Sequence, residues 1–313
     1  MRYPFRGSAC VLAFGLLLGC GMSMDEMKGA IHKACADGDM GTVRAILKKA
    51  PSLIEHPNAK RGGRTPLHFA GAAEIAEFLI EQGADATATD RLGWTPLHTA
   101  ASEGVARILL DNGADVRAKA QRDLTPLHTA ANEEVARLLI SRGANVRGEP
   151  DPSRNYGKYG DRDTPLYWAI LDHRADVARV LLESGADADQ MLVGDKNLLH
   201  FAASMGAADC IGALVQHGLR VYRTDRLGAT PLHEAVVKDQ VKAAEKLLEL
   251  GADANARLSR HVAIQTNNPN RVGPHAGTWG TGLDLKAAGG KTPLAIAQSD
   301  AMKELLRKYG GSE

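Results

Sequence analysis

The stretch "WTPLHTAASEGVARILLDNGAD" occupies residues 94–115, and "LTPLHTAANEEVARLLISRGAN" follows at residues 124–145. The second is a near copy of the first, displaced by thirty residues. Self-similarity at a period of this length indicates an array of stacked supersecondary units and not a single globular core. The stretch therefore decides the fold class if further copies extend along the chain.

Further copies do extend along most of the chain. Their Thr-Pro-Leu-His motifs, or variants of it, begin at Thr65, Thr95, Thr125, Thr164, Asn197, Thr230 and Thr292. Most copies end at a glycine, namely Gly83, Gly113, Gly143, Gly185, Gly218 or Gly251. Thr is a helix N-cap, Pro suits the first turn, and Gly suits the left-handed residue just past a helix. Each copy thus predicts a helix pair whose apolar face is buried only by its neighbours.

The recurring Thr-Pro-Leu-His-x-Ala and Gly-Ala-Asp sequences resemble the ankyrin repeat. The resemblance implies an all-α ankyrin solenoid of about eight helix–turn–helix units with hairpin loops, spanning residues 29–313. A degenerate first unit fits residues 30–51, where Ile31-His32 replaces Leu-His, and a last unit at 291–309 would close the stack. In this family the repeats bind other macromolecules, and catalysis is not their usual work.

The copies fall into two length classes. From the first residue to the helix-ending glycine there are 21 positions at 164–185, 197–218 and 230–251. There are 18 positions at 65–83, 95–113, 125–143 and 292–310. The three missing residues fall where the two helices join. Their loss is expected either to shorten a helix or to tighten the turn, and the sequence leaves both alternatives open.

The N-terminus has a different character. Arg2 and Arg6 precede a short apolar stretch that ends in Leu17-Leu18-Gly19-Cys20, which resembles a bacterial lipobox. The resemblance implies a signal peptide over residues 1–19, acylation of Cys20, a short tether over 20–28 and, because residue 21 is Gly, an outer-membrane location facing the periplasm. The alternative is an ordinary cleaved signal and a soluble periplasmic or secreted protein.

Most residues that could act in catalysis or bind a metal are explained by the repeat pattern. Six histidines (His32, His68, His98, His128, His200 and His233) hold the same motif position, and in ankyrin-like units that side chain hydrogen-bonds locally and ties neighbouring repeats together. One per repeat, they cannot converge on a metal. Gly-Lys-Thr at 290–292 lacks the earlier glycine of a phosphate-binding loop. Cys35 and Cys210 are expected to be buried free thiols. We expect no metal and no cofactor.

Two insertions break the period, at residues 148–163 and 257–290. Both fall at hairpin positions, and long connections of this kind are uncommon without a role. Tyr156 and Trp279 are predicted partner anchors because aromatic side chains dominate interface energies. The alternative is a pair of tolerated surface loops.

Two further surfaces are candidates for contact. Basic residues recur near the expected hairpin tips, and Arg91, Arg122 and Arg226 are predicted contacts with an acidic partner or with anionic lipid head groups. The alternative is solvated tips with local ion pairs. The residue after each motif histidine is expected to face the binding groove, so Trp168 and Phe201 are predicted to form an apolar hot spot. Partial burial between neighbouring helices is the other possibility for these two.

The combined prediction is a monomeric, envelope-anchored ankyrin scaffold that binds a protein partner without catalysis, in one version as an immunity or inhibitor protein. A formal net charge of +1 gives no overall field for nucleic acid. The membrane contact is expected only through the lipid anchor on Cys20. One rival is an enzyme in which residues 257–290 close as a lid over an active site. Another is a secreted effector that binds a host protein.

Overall fold

The computed structural model describes residues 22–148, 164–258 and 290–313. They divide between two compact units, Met1–Glu149 and Pro150–Glu313, and the boundary falls in the first predicted insertion. We call these unit 1 and unit 2. The predicted signal peptide, Cys20, nearly all of both insertions, and Tyr156 and Trp279 lie outside the described residues.

Unit 1 holds four helix pairs within its described residues. The first pair is α1 (Met24–Asp37) and α2 (Met40–Lys49). In the next three pairs, single-turn 3-10 helices at Pro66–Phe69, Pro96–Thr99 and Pro126–Thr129 precede α3 (Ala73–Glu81), α4 (Glu103–Asp111) and α5 (Glu133–Ser141). Further 3-10 turns lie at Pro51–Glu55, Ala59–Arg61 and Gln121–Asp123.

Unit 2 holds another four pairs within its described residues. They are α6 (Pro165–Leu171) with α7 (Ala175–Glu183), α8 (Leu198–Met205) with α9 (Ala208–Gln216), α10 (Pro231–Val237) with α11 (Val241–Glu249), and α12 (Pro293–Ile296) with α13 (Asp300–Lys308). Strands β1 (Met191–Leu192) and β2 (Lys196–Asn197) pair antiparallel in one hairpin. The ankyrin fold and the count of eight pairs are therefore confirmed.

The first helix begins earlier than the sequence pattern predicts. Ser23 and Glu26 form a capping box, in which each side chain accepts the other residue's backbone N–H, and α1 starts at Met24. Residues 24–28, predicted as part of the tether, therefore form the start of α1. The Ser23–Glu26 capping box starts the helix five residues before residue 29, where the repeat domain was predicted to begin.

The structure decides how the 18-position repeats lose three residues. First helices of the 21-position repeats have seven or eight residues, whereas those of the 18-position repeats have four. Second helices starting at Ala73, Glu103, Ala175 and Val241 all have nine residues. The deletion therefore shortens the first helix by about one turn and leaves the second helix unchanged.

The junction between the helices changes with that length. In the longer repeats a left-handed residue ends the first helix, at His173, Gly206 and Asp239. In the shorter repeats the chain runs extended, and the side chain of Ser102 or Asn132 caps the second helix instead, with Asn132 Oδ1 accepting from Val135 N–H at 3.0 Å. The same side-chain capping occurs at Ser299, whereas Ala72 in the first short repeat has no side-chain cap.

Small apolar side chains fill the core between neighbouring pairs. On α4, Val105, Ala106 and Leu109 are at most 1% exposed, and the equivalent residues of α5 are equally buried. Alanine at the middle position lets adjacent helices approach closely. The burial confirms that each pair completes the core of its neighbours within a unit.

Gly71 marks the junction between the long helix α1 and the first short repeat. Its N–H donates to the Cys35 carbonyl at 3.0 Å, and an added Cβ would lie 2.5 Å from the carbonyl oxygen of Ala36. The corresponding residues of the next two repeats, Ala101 and Ala131, are preceded by repeats whose first helices are short, and they carry the methyl group. Glycine is required where the longer helix α1 abuts the shortened repeat.

We expect Gly71→Ala to lower the free energy of unfolding of unit 1 by about 2 kcal/mol, because backbone must move to admit the methyl group. Urea unfolding followed by Trp94 fluorescence, with Trp168 and Trp279 replaced by Phe, measures unit 1 alone. Gly29→Ala is the matched control, since nothing lies within 4 Å of its Cβ position on α1. The control should gain about 0.5–1 kcal/mol. A Gly71→Ala protein as stable as its parent would contradict this account.

Candidate protein-binding surface

Hydrogen bonds on both ring nitrogens hold the motif histidines His68, His98 and His200 in place. Thr65, Thr95, Thr125 and Thr230 donate their backbone N–H to Nδ1 of the histidine three residues later, at 2.9–3.2 Å. The neutral ring therefore carries its proton on Nε2. That N–H donates to the carbonyl preceding the next repeat, at Trp94 for His68 and Leu124 for His98.

This arrangement uses the histidines for packing. Burial lowers the pKa of His200 and of His233 to about 4, and it lowers the pKa of His68 and His98. Protonation of Nδ1 would also place an N–H against the donating backbone N–H. These rings bridge repeats as neutral groups, which confirms the structural role predicted for them.

In the three Thr-Pro-Leu-His repeats of unit 1, the position after the motif histidine is half-buried. Thr99 and Thr129 each donate their hydroxyl to the carbonyl of the preceding repeat's histidine, at 2.8 Å. Phe69 meets the ring of His32 edge-on, with centroids 5.3 Å apart. These side chains join neighbouring repeats while keeping one side open to solvent.

In unit 2 the two predicted hot-spot residues, Trp168 and Phe201, both occupy the position after the motif histidine or its equivalent, but they differ in exposure. Trp168 is half-buried and stays a candidate contact. Phe201 is 1% exposed, and its ring stacks parallel on Tyr167 with centroids 4.3 Å apart. The prediction of Phe201 as a partner contact is therefore corrected to a packing role, because burying a large ring between helices is worth more than leaving it in water.

All three predicted hairpin arginines, Arg91, Arg122 and Arg226, are exposed. The Arg226 side chain lies 3.4 Å from the carboxylate of Asp195 on the preceding hairpin, and the two side chains are 54% and 37% exposed. A pair this exposed contributes little to stability and leaves the guanidinium open to a competing carboxylate. The structure places these residues where the sequence predicted them, and their contact with a partner stays a prediction.

The hairpin at Ala120–Leu124 departs from its neighbours in backbone conformation. Arg122 and Asp123 have φ of 68° and 58°, whereas the equivalent hairpins at 90–94 and 225–229 place glycine, Gly93 or Gly228, in the left-handed position. Asp90 accepts the N–H groups of Leu92 and Trp94, but Ala120 at the matching position has no carboxylate to do so. Left-handed non-glycine residues cost of order 1 kcal/mol each. This hairpin therefore keeps two charged side chains at a cost in stability.

Sequence reasoning missed a buried ion pair in unit 2. Glu234 on α10 is 1% exposed, and its carboxylate lies 2.7 Å from Nζ of Lys196 on β2. Lys196 directly precedes the Asn that begins its repeat, the same position as Arg64, which pairs with Asp90 at 3.1 Å. A basic residue just before the first residue of a repeat was the available signal.

It also missed the exposed apolar side chains. Among the described residues, the large apolar side chains that remain exposed are Met24, Leu92, Val193 and Tyr222. Three of the four lie in the hairpin connections between repeats, and Met24 is the first residue of α1. Exposed apolar groups beside arginines are the composition of an interaction surface.

Other chemistry is scarce in the described part of the chain. Cys35 and Cys210 are buried, as predicted, and burial raises the pKa of each thiol to about 12. Such thiols are poor nucleophiles. Across residues 22–148, 164–258 and 290–313, no group of three His, Cys, Asp or Glu side chains is arranged to hold a metal ion. Over the same ranges no helix is both long and apolar enough to cross a membrane.

Comparison with known proteins agrees with the fold. The family described as "Ankyrin repeats (3 copies)" matches residues 8–90, 71–149 and 189–257, and "Ankyrin repeat" matches residues 161–191. The chain therefore belongs to the ankyrin-repeat family, whose repeats mediate protein–protein interaction. The human ASB11 ankyrin repeat domain is a similar solved structure, with a TM-score of 0.52 and 26% identity, covering 70% of this chain and 96% of that one.

Curated relatives share only part of their length with this chain. Human ankyrin repeat and SOCS box protein 16 is 32% identical over 162 residues, which is 47% of this chain and 36% of that protein. Pig NF-kappa-B inhibitor alpha is 31% identical over 103 residues, 31% of this chain and 32% of that protein. The chain thus spans about a third of the length of these two relatives, and the similarity defines a class of binding scaffold without naming a partner.

Proposed function

We propose that this protein is a non-catalytic scaffold that binds a protein partner in the bacterial envelope, anchored by lipid on Cys20. The observation that supports binding is that the side chains that join the repeats are buried, whereas other charged and apolar side chains are exposed. The hydrogen-bonded motif histidines and Glu234, which pairs with the half-buried Lys196, lie inside repeat contacts, whereas exposed arginines and apolar groups lie on hairpins. Catalysis needs titratable groups that reach a substrate, and binding needs exposed contacts.

The inhibitor or immunity version of this function has separate support. One relative carries the word inhibitor in its name, NF-kappa-B inhibitor alpha. A preformed array of repeats covers a partner's surface with little loss of conformational entropy on binding. Occlusion of an incoming protein at the envelope would use the same hairpin contacts.

The binding proposal is tested by photo-crosslinking in the native cell. A photoreactive phenylalanine analogue replaces Leu92 or Val193, which are 47% and 56% exposed on hairpins. The matched control carries it at Lys48, which is exposed on α2. We expect a discrete adduct with another protein from the hairpin positions and none from Lys48. Adducts of equal yield from all three positions, or none, would contradict the proposal.

The anchor is tested on the same strains by membrane fractionation and mass spectrometry of the N-terminal peptide. We expect a diacylglyceryl group on Cys20 and release of the Cys20→Ser protein from the membrane fraction. Deletion of residues 258–289 tests the second insertion, with loss of the adduct expected. A lipid-free, soluble wild-type protein would remove the anchor but leave the binding proposal standing.

A further inference from the structure

The hairpin tips of unit 1 form one continuous edge. The N–H of Arg91 donates to the Gly62 carbonyl at 2.9 Å, and the N–H of Gln121 donates to the Leu92 carbonyl at 2.7 Å. Residues 58–64, 90–94 and 119–124 are therefore bonded tip to tip, and we call them the tip row. Side chains on neighbouring tips are held at a fixed spacing by these backbone contacts.

The exposed charge of the tip row is positive. It contains six basic residues (Lys60, Arg61, Arg64, Arg91, Lys119 and Arg122) and two acidic ones (Asp90 and Asp123). Asp90 is buried and pairs with Arg64, so the exposed members are nearly all basic. Asp85 and Asp115, at the helix end of their hairpins, accept backbone N–H groups two residues on, from Thr87 and Arg117.

The helix face of the same unit is arranged differently. There Arg107 pairs with Glu103, Arg137 pairs with Glu133 at 2.9 Å, and Arg142 pairs with Asp111 at 2.9 Å. In these three pairs the opposite charges cancel locally. The positive potential of unit 1 is concentrated on the tip row, where opposite charge on a partner is attracted.

Two more observations point to the tip row as a contact. Leu92 is 47% exposed in the middle tip, beside Arg91. The third tip holds Arg122 in a left-handed conformation that glycine adopts without strain. An exposed apolar group and a strained charged residue on the same row are typical of a binding site and add nothing to the core.

We propose that the tip row binds an acidic, extended segment of a partner protein, with an apolar side chain of that segment on Leu92. This inference rests on the proposed binding function. Tips of neighbouring repeats are about 10 Å apart, the spacing of packed helices. In a polyproline II conformation, residues three apart are about 9 Å apart and lie on one face. A segment with a carboxylate at every third position therefore matches the row.

The narrow shape of the positively charged tip row favours a peptide as its ligand over a membrane or a nucleic acid. The positive strip is one row wide, and the chain as a whole carries a formal charge of only +1. A bilayer or a duplex presents charge over a broad surface and would also meet the carboxylates of the helix face. A narrow strip beside one exposed leucine matches a single extended chain.

The test measures binding of a fluorescein-labelled peptide with Glu at every third position and Leu between, by fluorescence anisotropy at low and at physiological salt. The purified chain from residue 22 to 313 is used, and a scrambled peptide of the same composition is the ligand control. We expect the in-register peptide to bind at least several-fold more tightly, and its affinity to fall as salt rises.

Protein variants locate the site. Arg91→Glu/Arg122→Glu should weaken binding about tenfold or more, because two attractions become repulsions. Lys48→Glu/Arg107→Glu changes the net charge by the same amount on the helix side of unit 1 and should stay within about twofold. Leu92→Ala should weaken binding several-fold without changing the salt dependence. Unchanged circular dichroism shows that each variant is folded.

Several outcomes would overturn the proposal. They are equal losses from the two charge-reversal variants, equal affinity for the two peptides, or no peptide binding while vesicles of phosphatidylglycerol and phosphatidylcholine in equal parts, or a single-stranded oligonucleotide, bind. The crosslinking experiment separates this failure from failure of the function. If the Val193 adduct survives in Arg91→Glu/Arg122→Glu while no peptide binds, the scaffold function stands and the acidic segment is wrong.

Discussion

Replacement of Lys196 by Met is expected to lower the free energy of unfolding of unit 2 by about 3–4 kcal/mol. Glu234 is 1% exposed, and its carboxylate lies 2.7 Å from Lys196 Nζ. Without the ammonium group, a buried carboxylate loses its charge partner and must either stay ionised in a poorly polar site or take up a proton. Either route disfavours the folded state at neutral pH.

Asp225 enlarges this effect. It is buried on the neighbouring hairpin, and burial raises the pKa of its carboxyl group, with Lys196 opposing the rise and Glu234 adding to it. Lys196 therefore offsets two buried carboxylates. Glu234→Gln should cost less than Lys196→Met, about 1–2 kcal/mol, because Lys196 stays in contact with solvent and keeps its electrostatic attraction to Asp225.

The measurement is urea unfolding followed by Trp168 fluorescence, with Trp94 and Trp279 replaced by Phe so that unit 2 alone is observed. Lys246→Met is the matched control, since Lys246 pairs with Glu249 on the surface of α11 at 3.2 Å. The control should change stability by less than about 0.5 kcal/mol. The double variant Lys196→Met/Glu234→Met should recover part of the loss, because Asp225 is then the one carboxylate left without Lys196, and it still accepts the N–H groups of Leu227 and Ala229.

The expected order is therefore wild type, the double variant, and Lys196→Met last. A Lys196→Met protein within about 1 kcal/mol of its parent would show that the pair is not electrostatically coupled. A double variant as unstable as Lys196→Met would show that the loss came from packing and not from the stranded carboxylate.

Acidification from about pH 7 to about pH 5 should lower the stability of unit 2 by about 4 kcal/mol, through His200 and His233. Burial lowers the pKa of each ring from 6.5 to about 4. Between these values the unfolded chain binds a proton that the folded chain does not. Stability is therefore full above about pH 6.5 and is lost as the pH falls toward 4, by about 2 kcal/mol per ring at about pH 5.

The same Trp168 unfolding assay, repeated at several pH values, measures the slope. The raised pKa of Asp225 acts in the opposite direction at lower pH, so the comparison stops near pH 5. His200→Gln should destabilise the protein at neutral pH but reduce the slope by about one proton. His217→Gln, on the exposed end of the α9 repeat, is the control and should leave the slope unchanged. A pH-independent stability would contradict this account, because it would mean that the rings bind protons equally in the folded and unfolded states.

Much of the fold was predictable because its signals are local. Thr before Pro indicates a helix start, and the glycines that end the repeats have φ of 81° to 97° in the structure. The role of the motif histidine also followed from its position, since its partners are the Thr three residues before it and the backbone that begins the next repeat. Such contacts recur once per repeat and so leave a periodic trace in the sequence.

The candidate site was less predictable because it depends on which neighbours meet. Phe201 and Trp168 hold the same motif position, yet Phe201 is buried because Tyr167 of the preceding repeat stacks on it. The Lys196–Glu234 pair joins residues of two different repeats, and the periodic sequence pattern does not predict it. The aspartate and the glycine missing from the hairpin at 120–124 can be read from the sequence, but the left-handed conformation of Arg122 is seen only in the structure.

By itself the sequence determined the eight helix pairs, their caps, and the neutral histidines that link them, because each of these needs only a few adjacent residues and one neighbouring copy. Tertiary structure alone decided that the three missing residues come out of the first helix, that Gly71 must lack a side chain, and which side chain at each repeated position stays exposed. Those outcomes depend on how closely two non-identical repeats pack, and the periodic sequence pattern does not give that distance.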